Sequence, residues 1–301
     1  MQQFLEIISK PDNIPIILLL VGAIFFSWLA WTKARRNDAL EAPVEATLDD
    51  KVQVWPYLVR VEFLATIAVM AILVFWSVFL DAPLEEPANR ALTPNPSKAP
   101  WYFLGLQELL VYFDPWIAGV VLPTLIIVGL MAIPYVDINP KGNGYYTFKE
   151  RKFAIVVFSF GFLVLWVSLI VLGTFMRGPG WNFFWPWERW DPHYVAVLTN
   201  VDLSELLFNI PTRLPNNAIN PVAMMFGAVV VLGYYSIGPV YWIMKRKDDI
   251  MQKLGLVRYA IVSFLLLTMG GVVIKIILRL VPTAFGLNPV KYVWVTPWFN
   301  I

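Results

Sequence analysis

The chain has 301 residues, no cysteine and a single histidine, His193. Without thiols there is no disulfide, no thiolate metal centre, no cysteine-ligated iron–sulfur cluster and no thioether-linked haem. One imidazole cannot supply two axial ligands, so a haem held by two histidines would have to sit on another polypeptide. Charge is the second scarcity. Asp, Glu, Lys and Arg make up 15% of the sequence, against about a quarter in soluble domains, and mean hydropathy is +0.64. Water is therefore the wrong solvent for most of this chain, and nucleic acid is not an expected partner. Internal repeats and low-complexity tracts are also missing.

What is present is long apolar sequence. Six stretches are long enough to cross a hydrocarbon core of about 30 Å, which takes roughly 20 helical residues. They lie near Ile14–Trp31, Tyr57–Leu80, Trp116–Tyr135, Phe153–Phe175, Pro221–Met244 and Arg258–Leu280. In lipid each must be helical, because no water is available to satisfy an open backbone. The expected fold is an all-α, polytopic membrane protein with about six spans. Aromatic residues reach 16%, which suits belts at the two interfaces. The first stretch is followed by Lys33, Arg35 and Arg36, the reverse of a signal peptide, and reads as a retained anchor.

Basic residues then suggest an orientation. Lys33, Arg35, Arg36 and Lys51 follow the first span; Lys141, Lys149, Arg151 and Lys152 lie between the third and fourth. Lys245, Arg246, Lys247, Lys253 and Arg258 lie between the fifth and sixth. These short loops hold more than half of the 23 basic residues, which puts them inside and both termini outside. Two longer outer segments remain. Asp81–Pro115 is rich in proline, and Met176–Asn220 carries Trp181, Phe183, Phe184, Trp185, Trp187 and Trp190.

The first of these segments ends in APWYFLGLQELLVYFDPW. Pro100 suits the first turn of a helix, where its missing N–H costs nothing. On that helix Trp101, Leu104, Gly105 and Glu108 share a face at spacings of three and four. A short interfacial helix too brief to span, lying at the end of this segment near the outer interface, would present a ring, a gap and one carboxylate. Those parts fit a flat, apolar ligand with a hydroxyl to deprotonate. Ordinary Trp/Tyr anchoring at the interface is the other reading of the same residues.

The run from Trp55 to about Arg177 resembles subunit IV of the chloroplast-type cytochrome complex, the counterpart of the C-terminal half of cytochrome b. A helix enters after Trp55-Pro56, and a proline-rich outer loop ends near Trp101-Tyr102. A helix back inward, a basic loop and a helix outward follow. The segments TPNPSKAPWYFLGLQEL and RGPGWNFFWPWERWDPH look most like bacterial menaquinol-type cytochrome b subunits. The resemblance divides the chain into an N-terminal anchor and loop (1–54), a subunit IV-like core (55–177), and an outer aromatic loop with two added spans (178–301).

This resemblance implies a split cytochrome b in a prokaryotic cytoplasmic membrane, acting in a quinol:cytochrome c oxidoreductase. The implied partners are a separate cytochrome b carrying both b haems, a Rieske-type iron–sulfur protein and a c-type cytochrome, in a multi-subunit complex that can be dimeric. The ligand is quinol, with menaquinol favoured. Pro100, Trp101, Tyr102, Phe103 and Leu104 would line the outer quinol-oxidation site. One departure matters: the family's Pro-Glu-Trp-Tyr motif has its glutamate where this chain has Pro100, and its proline at Ala99. Glu108 is the candidate proton acceptor in its place, with an ion-pair role as the alternative.

Other polar residues read as structural. Arg60 and Glu62, and likewise Lys275 and Arg279, are expected to snorkel to an interface or meet lipid phosphate. Asp114 and Asp137 bracket the third span as end caps, and His193 sits in the aromatic loop. No metal site is expected. Two rival classes stay open: a scaffold subunit without a quinone site, and a secondary transporter. The transporter lacks an inverted repeat and paired broken helices.

Overall fold

A computed structural model describes residues 2–40, 52–82, 84, 87–91, 93–142, 144–191, 199–284 and 288–301. His193 lies outside the described residues. The elements in order are α1 (Gln2–Ser9), α2 (Pro11–Asp38), α3 (Val54–Phe79), α4 (Trp101–Tyr112), α5 (Ile117–Val136), α6 (Phe148–Met176), α7 (Leu203–Phe208), α8 (Pro221–Lys245) and α9 (Asp249–Ala284). Six of them, α2, α3, α5, α6, α8 and α9, are long and apolar enough to span a membrane. The protein is a polytopic all-α membrane protein, as expected, and no β-strand occurs among the described residues. Several helices overrun the apolar stretches of the sequence, because a helix keeps its hydrogen bonds past the point where charged residues begin.

The chain divides into two compact units. The first comprises Met1–Trp101, Pro140–Val167 and Thr174–Asp191. Within it, the end of α2 caps the start of α6. The Asp38 carboxylate accepts from the backbone N–H groups of Phe148 and Lys149, each at 3.2 Å. Thr147, at the N-cap position, makes no side-chain cap of its own. A carboxylate at a helix N-terminus satisfies orphan donors and complements the dipole. Trp31 meets Phe148 edge-on at 5.0 Å. By contrast α3 has no buried residue, although it is predominantly apolar beyond Arg60 and Glu62 near its start.

The second unit comprises Tyr102–Asn139, Ser168–Gly173 and Pro192–Ile301. Helices α8 and α9 pack through tyrosines that reach backbone carbonyls and hydroxyls across the interface. Tyr259 donates to the carbonyl of Gly238 at 2.7 Å and Tyr234 to that of Leu267 at 2.6 Å, while Tyr235 meets Thr268 Oγ1 at 3.0 Å. Helix α5 joins them where Gly129 admits Leu265. In α9 the first turn is set off from the long span by Gly255, whose φ of +73° favours glycine.

The C-terminal residues then fold back. Lys291 N–H donates to the Val201 carbonyl and Leu203 N–H to the Tyr292 carbonyl, at 2.7 and 2.8 Å. Trp294 lies so close to α8 that a Cβ on Gly227 would stand 2.8 Å from its Cα.

Candidate functional site

The loop before α4 is pinned by polar contacts to the aromatic loop, all within the first unit. Asn95 Oδ1 accepts from the Gly180 N–H at 2.6 Å. Lys98 donates to the Thr174 carbonyl at 2.7 Å and lies over the Trp190 ring, 4.8 Å from its centroid. The aromatic cluster itself is mixed. Phe184 is buried, with Trp190 at 6.3 Å and with so little space at Gly178 that a Cβ there would meet its ring at 2.7 Å. Trp185 and Trp187 are stacked at 5.2 Å and remain exposed.

Helix α4 begins directly after Pro100, as the sequence predicts, and runs 12 residues, too few to span. Its buried face consists of Leu104, Gly105, Glu108, Leu109 and Tyr112, the three-and-four spacing of an amphipathic helix. Glu108 is completely buried, and Tyr112 is 1% exposed. The Tyr112 hydroxyl donates to Glu108 Oε1 at 2.8 Å, one helical turn away. The close fit of this face shows at Gly173 of α6, where a Cβ would stand 3.2 Å from the Leu104 carbonyl oxygen.

The residues expected to line one site therefore divide between two faces. Leu104 and Glu108 point into the packed interior, and Trp101 is half-buried at the first position. Pro100, Tyr102 and Phe103 are exposed, Tyr102 and Phe103 at 54% and 51%, with their rings 4.9 Å apart. The arrangement offers a buried carboxylate with a phenol on it, and beside it an exposed pair of rings. Chemically the first can hold or move a proton and the second can stack on a flat ligand.

Tyr112 escaped the sequence reading, although its place four residues after Glu108 is the signal for such a pair.

Past α4 the backbone turns at Asp114, which caps α5: its Oδ1 accepts from the Trp116 N–H at 3.0 Å, and its Oδ2 accepts from Asn300 at 3.2 Å. Asp137, at the other end, is the C-cap: its N–H donates to the Ile133 carbonyl at 3.0 Å, and its Oδ1 accepts from the Asn139 N–H at 3.0 Å. A correction concerns Lys275. Expected to snorkel, it is 3% exposed and turned inward. Its ammonium donates to the Lys291 carbonyl at 2.7 Å and lies 5.6 Å from the Phe113 ring centroid and 5.7 Å from that of Tyr292. The returning C-terminal segment supplies the polar partner that water would otherwise have provided. Tyr292 has its pKa raised, first by burial and then by Asp114 and Asp202, with Arg279 opposing.

Residues 87–178, which include α4, α5 and α6, match the family model described as cytochrome b(C-terminal)/b6/petD. No solved structure matches the chain.

Proposed function

We propose that this chain, whose residues 87–178 match the cytochrome b(C-terminal)/b6/petD family model, is a membrane subunit of a cytochrome bc/b6f-type oxidoreductase complex and forms part of an outer-side quinol-oxidation site. The observation that carries this reading is Glu108. It is a completely buried carboxylate on the helix that begins with Trp101-Tyr102, and a tyrosine hydroxyl donates to one of its oxygens. The family's usual glutamate is replaced by Pro100, which has no proton-accepting group, and Glu108 is the carboxylate on the same short helix.

In this scheme Pro100, Trp101, Tyr102, Phe103 and Leu104 form the wall against which the quinol ring lies. Oxidation of one quinol to quinone releases two electrons and two protons. One electron goes to the iron–sulfur centre of a Rieske-type partner and onward to a c-type cytochrome. The other goes to the b haems of a separate cytochrome b. Glu108 accepts one hydroxyl proton, the other passes to water on the outer side, and the Tyr112 hydroxyl keeps the carboxylate oriented. Menaquinol is the substrate favoured by the likeness to menaquinol-type subunits. Both termini and α4 lie on the outer side of a prokaryotic cytoplasmic membrane, which agrees with the basic loops after α2, α5 and α8.

The complete burial of Glu108 favours a second reading, in which Glu108 and Tyr112 are a packing pair and only the exposed Tyr102 and Phe103 touch quinol. Quinol:acceptor turnover of the purified complex separates the two. With Glu108→Gln, loss of a general base costs about a hundredfold or more, and Glu108→Asp retains part of the rate. Full turnover in both variants sinks the proton-acceptor role; loss on Tyr102→Ala alone leaves the second reading.

A further inference from the structure

The cavity at the start of α8 lies outside the family-matched segment and does not depend on the quinol reading. It has a volume of about 490 Å³ and is lined by Arg213, Ile219, Pro221, Met224 and Pro297. Four of these are apolar and the fifth is a cation. Helix α8 has 25 residues and so is about 37 Å long at 1.5 Å per residue, longer than a hydrocarbon core of about 30 Å. Its far end carries Lys245, Arg246 and Lys247. The Pro221 end therefore reaches headgroup level, with the apolar walls of the cavity leading toward the hydrocarbon.

The cation is exposed and carried on a hydrogen-bonded hairpin. Arg213 stands on a hairpin in which Leu214 N–H donates to the Ala218 carbonyl and Asn220 N–H to that of Thr212, at 2.8 and 2.9 Å. Thr212 Oγ1 ties this hairpin to Asp202 at 2.6 Å. At the tip, Asn217 adopts φ +64°, and its carbonyl accepts from Arg213 Nη1 at 3.1 Å. The same nitrogen donates to Asn217 Oδ1 at 3.4 Å, and Arg213 lines the cavity. Among the described residues no carboxylate forms an ion pair with Arg213. Below the cavity Met225, Val229 and Leu232 form an exposed stripe at spacings of four and three.

We propose that this cavity binds the headgroup of an anionic phospholipid. The phosphate sits on Arg213, whose planar fork matches two phosphate oxygens. The glycerol region rests against Pro221 and Pro297, and the acyl chains run down Met225, Val229 and Leu232. An uncompensated cation selects a headgroup of net negative charge, and the stripe selects a lipid over a free anion.

The test uses the full-length chain, purified and lipid-depleted in detergent. Phosphatidylglycerol, diacylglycerol with the same chains, or inorganic phosphate is added, and retained molecules are counted by native mass spectrometry. Wild type is expected to keep phosphatidylglycerol in preference to diacylglycerol, with inorganic phosphate failing to displace it. Arg213→Gln should weaken retention about tenfold, the loss of one charge-assisted contact. Met224→Trp, which fills the cavity and keeps the cation, should do the same, with helical content unchanged in both. Equal retention of phosphatidylglycerol by wild type and Arg213→Gln overturns the proposal. So does equal retention of diacylglycerol, which indicates an apolar groove alone. Displacement by inorganic phosphate, indicating an anion site alone, overturns it as well.

Discussion

Glu108 and Lys275 are both buried ionisable side chains in the second unit, and each has a polar contact from a different source. Glu108 accepts from the Tyr112 hydroxyl of its own helix, four residues on. Lys275 is held from elsewhere: a carbonyl and a ring from the C-terminal segment, and the Phe113 ring from the end of α4. An unpaired buried charge is costly in either case. The Tyr112 hydroxyl orients the Glu108 carboxylate from one helical turn away, which suits a group with chemistry to perform. The tertiary set ties the C-terminal segment down, which suits a group that holds a fold together.

That contrast can be broken most decisively through its chemical half. Glu108→Gln should lower turnover about a hundredfold or more while leaving the thermal unfolding midpoint of the complex nearly in place. A shift in midpoint with turnover intact would reverse the assignment. The structural half comes next. Lys275→Met keeps most of the volume but strips the Lys291 carbonyl of its ammonium donor. It should cost about 1–3 kcal/mol, read as a lower unfolding midpoint and faster protease cleavage within residues 288–301, with KM for quinol unchanged.

A smaller effect is expected where the carboxylate loses only its orienting partner. Tyr112→Phe should reduce turnover by about threefold to tenfold, the worth of one neutral hydrogen bond, and should displace the pH profile of the reaction. A packing role alone would leave that profile still. The smallest effect belongs to Tyr292. Its phenol is held above the ordinary tyrosine value of about 10 by burial and by Asp114 and Asp202. The folded chain therefore binds this proton more tightly than the unfolded chain does. The resulting stabilisation is complete below about pH 10 and is lost as pH rises through the raised value. The difference in tyrosinate absorbance between wild type and Tyr292→Phe during an alkaline titration measures it.

The six spans, the short helix after Pro100 and the buried face through Leu104 and Glu108 were all legible beforehand, since each rests on period and composition along one stretch of chain. Even the Tyr112 contact was within reach, being a spacing of four. The fate of Lys275 was not. Its position near the end of a span suggested snorkelling, and nothing in the local pattern announces a carbonyl 16 residues onward. The same holds for Asp38, which caps a helix 110 residues away.

Consecutive residues alone carried the multi-pass membrane character and the likeness to a cytochrome b C-terminal half, whose family model matches residues 87–178. Apolar length and motif order are written in consecutive residues. Only the tertiary structure decided which ionisable groups are buried and what satisfies them. A buried polar group takes its partner from whatever backbone or ring the fold brings within about 3–6 Å, and that neighbour is set by packing between segments, not by the residues on either side.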